Sequence, residues 1–240
     1  MKILVFDIKG DYAHYKKIYA TTSAISYAVP TKTSLYGYFW ALACLEKSGD
    51  KNNYLRYFTN KQCLVGIGIK IPIVMQRINI NLRAVLGRMK PNDNRKPTTT
   101  EYVYKPEYRI YFWHLNTSFY EKMKYNLQHK ISEYTPTLGL ASLISTFIFV
   151  GEFEAKLQNT NNLVEVKTII PKSKFIDFEP NALMDNENEI IEQSMYPIEM
   201  DLERNVTERD DILLDRKAKP IKAYVKEYYE INGLNNAVLF

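Results

Sequence analysis

Two runs of β-forming residues constrain this chain more than any other feature: CLVGIGIKIPIVMQRINI at 63–80 and YVYKPEYRIYFW at 102–113, separated by the Arg-, Lys- and Thr-rich segment Asn81 to Glu101. Such a pair, joined by a polar stretch, predicts one long hairpin with a basic tip. Helical signals flank it on both sides. Upstream, Pro30, Thr31 and Thr33 precede Leu35, Phe39, Leu42 and Ala43, which predicts a capped helix starting at Thr31. Gly37 lies inside it, and glycine in a helix interior costs about 0.5–1 kcal/mol, so a close approach to a neighbouring backbone is expected there. Downstream, Phe119, Met123 and Leu127 recur at four-residue spacing, predicting a helix over Thr117 to Lys130.

Lys2 to Lys9 reads as a buried first strand ended by Gly10. Ala141 to Lys156 reads as a strand, or a buried helix followed by one, and periodicity leaves both open. Strand, helix, strand, strand, helix, strand over residues 1–157 is the split βαβ plan, an α+β ferredoxin-like domain. The RNA-recognition motif shares that plan, but its paired-aromatic consensus is not present, so fold alone does not give function. Residues 158–240 are expected as a small β-rich extension packed on that domain. Within it, Val164 to Phe178 reads as strand, Asn181 to Glu192 as an acidic loop or short helix, and Lys217 to Ile231 with Ala237 to Phe240 as a final hairpin.

Charge divides the chain. Residues 1–130 carry 21 Lys/Arg against 8 Asp/Glu, and residues 131–240 carry 11 against 19. A basic front and an acidic back imply two different partners, or one polyanion and one protein. Cys44 and Cys63 have neither CxxC spacing nor a nearby histidine, so no disulfide, metal or cofactor is expected, and a reducing, cytoplasmic setting fits. Neither the N-terminus nor the apolar stretch Leu138 to Val150 supports secretion or a membrane partner.

The most informative stretch follows the first strand. Lys9, His14, Tyr15, Lys16, Lys17 and Tyr19, then Thr21, Thr22, Ser23 and Tyr27, then helix-opening Thr31, Lys32 and Thr33 interleave cations, hydroxyls and aromatic faces. A loop of this kind leading into a helix N-terminus suits an unpaired RNA backbone, because bases stack on rings and phosphates meet cations and free N–H groups. In the hairpin, Arg83, Arg88, Arg95 and Lys96 are further candidates, with Tyr108 and Arg109 at its return. Between Arg77 and Arg109 eight basic residues face three acidic ones, so binding there would be steeply salt-dependent.

GDYAHYKKIYATTS at 10–23, PTKTSLYGYFWAL at 30–42, TTTEYVYKPEYRIY at 98–111 and PTLGLAS at 136–142 together resemble the fifth CRISPR-associated protein family. That family belongs to the RAMP superfamily, and the likeness is to the type I-B branch. It touches most of residues 1–157, and the C-terminal third matches only in layout. The resemblance implies a subunit of the Cascade surveillance complex, serving antiviral defence. In that role it grips the 5′ handle of the guide crRNA and meets the large subunit and the first backbone subunit. Target DNA would be reached only through the complex. The resemblance also implies a thumb hairpin over about residues 82–100. The glycine-rich loop of many RAMP proteins is not evident among the nine glycines.

Metal-independent RNA cleavage needs a base for the 2′-hydroxyl, an acid for the leaving oxygen and a cation for the phosphorane. His14 beside Tyr15 and Lys16, or His129 beside Lys130, offers such residue types, and a type I-C branch of the family processes precursor guide RNA. In type I-B systems a separate endonuclease does so. A non-catalytic RNA clamp is therefore expected. A metal-independent endoribonuclease and a module whose basic face meets an acidic protein are the alternatives.

Overall fold

The computed structural model describes residues 1–20, 24–46, 53–59, 61–83, 95–159, 162–179 and 188–240, with the backbone alone at 82–83 and 95–96. The fold is α+β. In chain order it runs β1 (Lys2–Gly10), β2 (Tyr12–Ala13), β3 (Tyr15–Lys16), β4 (Ser26–Tyr27), α1 (Lys32–Ala43), β5 (Cys63–Ile69), β6 (Val74–Arg83), β7 (Arg95–Tyr104), β8 (Glu107–His114), α2 (Thr117–His129) and β9 (Ser145–Asn159). There follow β10 (Leu163–Val166), β11 (Ile170–Pro171), β12 (Phe175–Phe178), β13 (Ile190–Met200), β14 (Val206–Asp215), β15 (Ile221–Val225), β16 (Glu227–Ile231) and β17 (Asn235–Ala237).

β1 is central. It pairs antiparallel with β8 on one side and β9 on the other, and its apolar run is continuous because both faces are covered. Leu4, Phe6 and Ile8 join the core under the two helices, while Ile3 and Val5 pack with Tyr111, Ala155, Ile231 and Leu239 on the opposite side. The main sheet has the order β12-β15-β10-β17-β16-β9-β1-β8-β5. β9 joins its halves, pairing with β1 through its first ten residues and with β16 from Ala155 onward, so the sheet runs unbroken past residue 157. A register shift opposite Val5 and Phe6 bends β9, as an extra residue in one strand does. The sheet curls until β5 reaches the C-terminal residues: Val65 and Phe240 exchange two backbone hydrogen bonds of 3.0 Å, and Ile169 N–H donates to Ile67 O at 2.8 Å.

Both helices start where their capping residues stand. Thr31 Oγ1 accepts from Ser34 N at 3.1 Å, and Asn116 Oδ1 accepts from Phe119 N at 2.9 Å. α2 ends at Lys130, whose φ of 57° is left-handed, and it buries Phe119, Met123 and Leu127. Gly37 corrects its expectation: it is exposed, and nothing lies within 4 Å of where a Cβ would sit.

The hairpin is jointed rather than continuous. β5 and β8 pair inside the main sheet, whereas β6 and β7 form a separate ribbon in register from Val74↔Tyr104 to Arg83↔Arg95. Pro72 lies in the break of one arm and Pro106 in the other, where Lys105 takes a φ of 44°. Proline lacks the N–H that a central ladder requires, so each arm leaves the sheet at its proline. Of the expected thumb, about 82–100, residues 84–94 lie outside the described residues, and the remainder is the outer part of this ribbon.

In the C-terminal third the single strand expected over Val164 to Phe178 is three short strands: β10 and β12 flank β15 on its two sides, and β11 pairs with β14. Of the acidic segment Asn181 to Glu192, residues 181–187 lie outside the described residues, and Ile190 to Glu192 belong to β13 rather than to a loop or helix. β13 and β14 form a long hairpin whose Tyr196, Ile198, Ile212 and Leu214 enter the main core. β15 and β16 do not pair with each other; the final hairpin is β16 with β17.

Candidate nucleic-acid interface

Around the root of the ribbon, four rings gather. Register places Tyr12 of β2 opposite Tyr104 of β7, with ring centroids 5.5 Å apart, and Tyr102 lies 5.7 Å from Tyr12 and 5.6 Å from the imidazole of His14. Lys105 Nζ stands 5.3 Å from the Tyr104 ring, and both residues are exposed. Lys9 is exposed at the end of β1, next to this root. Beyond β3, Lys17 Nζ lies 5.9 Å from the Tyr19 ring and 5.6 Å from that of Tyr27. Tyr19 is 49% exposed and Tyr104 36%, which leaves both ring faces open to a base. Tyr12, Tyr102 and Tyr104 were not singled out from sequence. The period-two spacing of Tyr102 and Tyr104 in YVYK was the available signal, but only cross-strand register brings Tyr12 to them.

The sequence-derived candidates divide sharply by burial. Lys9, Lys16 and Tyr19 are exposed and Lys17 is half-buried, whereas His14, Tyr15, Tyr27, Thr31, Lys32, Thr33 and Tyr108 are buried. In β3, Tyr15 points inward and Lys16 outward, because successive strand residues take opposite faces. Tyr27 donates to Met195 O at 2.6 Å and Tyr108 to Ala28 O at 2.7 Å. Burial raises both phenols well above their ordinary value. Lys32 Nζ is paired inside the protein with Glu199 Oε1 at 2.8 Å. Thr21, Thr22, Ser23 and Arg88 lie outside the described residues, and Arg83, Arg95 and Lys96 are placed only as strand positions in the ribbon.

His14 is a tie between segments. Its Nδ1 lies 2.7 Å from Glu101 O; a carbonyl oxygen can only accept, so Nδ1 carries the proton. His14 N donates to Leu138 O at 3.0 Å, which anchors the PTLGLAS segment. Glu101 in turn accepts from Ser26 N at 3.3 Å and pairs with Arg77 at 3.3 Å. His114 lies in the core beside Phe119, with Nε2 donating to Tyr57 O and Nδ1 accepting from Asn116 N, and burial holds its pKa below the usual imidazole value. His129 is exposed at the end of α2, stacked on Tyr125.

Arg109, half-buried, belongs to a charge network. Its Nε and Nη2 reach the two oxygens of Asp7 at 2.8 and 3.0 Å, and Lys70 Nζ bridges Asp7 at 2.7 Å and Glu107 at 2.5 Å. Burial alone would raise the Asp7 carboxyl, but hydrogen bonds from Arg109 and Lys70 outweigh it and hold the pKa below its ordinary value.

No family model and no curated protein matches this sequence. Solved structures do match it over nearly its whole length. A CRISPR protein from Archaeoglobus fulgidus aligns with a TM-score of 0.59 at 13% identity, covering 99% of this chain and 98% of that one. A chain of a CRISPR RNA-guided surveillance complex aligns with a TM-score of 0.51 at 10% identity, covering 92% and 91%. A chain of the type III-B Cmr-beta complex bound to cognate target RNA aligns at 0.50 and 11% identity, covering 92% and 86%. This chain shares their fold. Among the described residues no helix is long and apolar enough to cross a membrane.

Proposed function

We propose that this chain is a non-catalytic subunit of a type I CRISPR surveillance complex, in which it holds the 5′ handle of the guide RNA and meets the backbone and large subunits. The order β9-β1-β8-β5 with two helices in the core supports the ferredoxin-like RAMP reading, and of the stretches that resemble type I-B, the described parts of three lie on its β1–α1 and β7–β8 segments and the fourth, 136–142, just before β9. The observation that carries the proposal is the ledge of half-buried Tyr12 with exposed Tyr104 and Lys105, extended by exposed Lys9, Lys16 and Tyr19 and half-buried Lys17, at the root of a basic ribbon. Rings open to solvent beside cations accept unpaired bases, which a duplex cannot offer.

Fluorescence anisotropy with single-stranded and duplex RNA of equal length tests this. The single strand should bind more tightly, and Tyr12→Ala with Tyr104→Ala should weaken it by roughly thirtyfold at about 1 kcal/mol per lost stack. Equal affinity for the two RNAs sinks the clamp. Incubation with repeat-containing precursor RNA in EDTA addresses the endoribonuclease alternative, since cleavage by the wild type would promote it.

A further inference from the structure

Among the described residues, six other than glycine take a positive φ: Lys61, Lys105, Lys130, Met195, Arg204 and Ala218. Five of them stand between elements or at a helix end, whereas Met195, at φ 59°, lies inside a strand. The cause is a bulge in β13. Between the pairs Gln193↔Ile212 and Tyr196↔Asp210, Ser194 and Met195 stand against the single residue Asp211, and an extra residue of this kind re-aims the side chains beside it. Regular alternation would turn Met195 inward with Gln193. Instead Gln193 and Tyr196 are buried, Ser194 and Met195 both face solvent, and Met195 is 45% exposed.

This backbone is held from both sides. Met195 N–H donates to Asp211 Oδ1 at 3.0 Å, and its carbonyl accepts the Tyr27 hydroxyl at 2.6 Å. A left-handed conformation at a residue with a Cβ persists only where surrounding contacts fix it, and such positions gather at binding sites. Glycine would make the same two hydrogen bonds without strain, so what the strain preserves is the methionine side chain.

Its surroundings are those of the ledge. Lys17 Nζ stands 5.6 Å from the Tyr27 ring and 5.9 Å from the open ring of Tyr19. Burial pushes the Tyr27 phenol up, Tyr19 and Asp211 add to that, and Arg209 opposes it, which places all three about the hydroxyl that anchors Met195. Arg209 is exposed on β14, opposite Pro197. A solvent-facing thioether thus sits with an aromatic face and two cations, while Asp211 is turned to the Met195 N–H. Apolar side chains of this size wedge against the bases of bent nucleic acids, cations meet the flanking phosphates, and polarizable sulfur suits a ring.

We infer that Met195 is an apolar contact for one unpaired base of the bound strand, with Arg209 at a flanking phosphate, so that the β13–β14 hairpin forms the far wall of the RNA ledge. This rests on the guide-RNA reading.

Met195→Gly removes the side chain and relieves the backbone at once. Anisotropy with single-stranded RNA should show affinity weakened roughly threefold or more, while the melting temperature is unchanged or higher. In the wild type, bound RNA should slow peroxide oxidation of Met195 to the sulfoxide, read by mass spectrometry. Met1, 43% exposed at the opposite end of β1 from Lys9, should stay as reactive as before. Equal RNA affinity of Met195→Gly and wild type overturns the contact and leaves the rest of the ledge standing, as does bound RNA under which Met195 oxidises as fast as without it. Absence of RNA binding by the wild type overturns both the contact and the guide-RNA reading. Should glycine lower the melting temperature, the oxidation rates alone decide.

Discussion

The carbonyl oxygen of His14 fills the space that a side chain at Gly139 would need: an added Cβ would stand 1.9 Å from it. Gly139 also has a φ of +97°, a region that side-chain-bearing residues rarely enter. Through this contact, and through the His14 bonds to Leu138 and Glu101, the PTLGLAS segment is fastened to the ribbon root. Gly139→Ala should therefore destabilise by at least about 2 kcal/mol, combining strain and displaced backbone. Gly233, at φ +74° with nothing within 4 Å of its would-be Cβ, isolates the strain alone, and Gly233→Ala should cost about 1–2 kcal/mol. Denaturant unfolding of both variants checks the ranking. Equal losses would mean that the His14 contact contributes nothing.

Lys32 and Glu199 pair in the interior at 2% and 7% exposure. Removing one partner strands the other charge away from water, so Glu199→Gln should destabilise by about 3–5 kcal/mol. Replacing both, as Lys32→Met/Glu199→Leu, should recover most of that loss, because no uncompensated charge remains. Urea midpoints for the single and double variants decide. A double variant no more stable than the single would show that the pair contributes more than mutual neutralisation.

Local chemistry was readable in the sequence. Threonine 31, the four-residue spacing in α2 and the apolar run of β1 each report on neighbouring residues, and each element formed where expected. What was not readable is set by distant partners. Interleaved rings and cations from Lys9 to Thr33 suggested one open RNA-facing loop, yet Tyr27 bonds to Met195 and Lys32 to Glu199 across more than 160 residues, and β13 draws these two candidates into the interior. Alternation within β3 could have separated Tyr15 from Lys16, and Pro72 could have marked the joint in the hairpin. The pairing of Tyr12 with Tyr104, and the meeting of β5 with the C-terminal residues, depend on register and sheet closure that no short window of sequence contains.

Gly37 occupies a helix position that faces solvent. Without a neighbour to accommodate, its main effect is the entropy it adds to the unfolded chain. Gly37→Ala should stabilise the protein by about 0.5–1 kcal/mol, raising the melting temperature by roughly 1–4 °C for a chain of this size. An unchanged or lowered melting temperature in differential scanning calorimetry would contradict it. Should the variant instead lose a binding partner while gaining stability, the glycine serves contact with that partner.

Asp7 sets a pH dependence whose sign follows from its partners. Arg109 and Lys70 hold its folded pKa below the ordinary 3.8, so the folded state favours the ionised carboxylate. Its contribution is complete above that ordinary value and is lost as pH falls through the lower, folded value. The side chains of Arg109 and Lys70 remain 26% and 31% exposed, so water takes up their charges when Asp7 is removed. The penalty for Asp7→Asn is accordingly that of lost charge-assisted hydrogen bonds, about 1–3 kcal/mol at neutral pH, rather than that of a stranded buried ion. Unfolding free energies of wild type and Asp7→Asn, measured from neutral pH down to about 3, should differ by a constant amount at first and begin to narrow below the ordinary carboxyl value of 3.8. A gap that stays constant over the whole range would show that the carboxylate charge does not hold the network together.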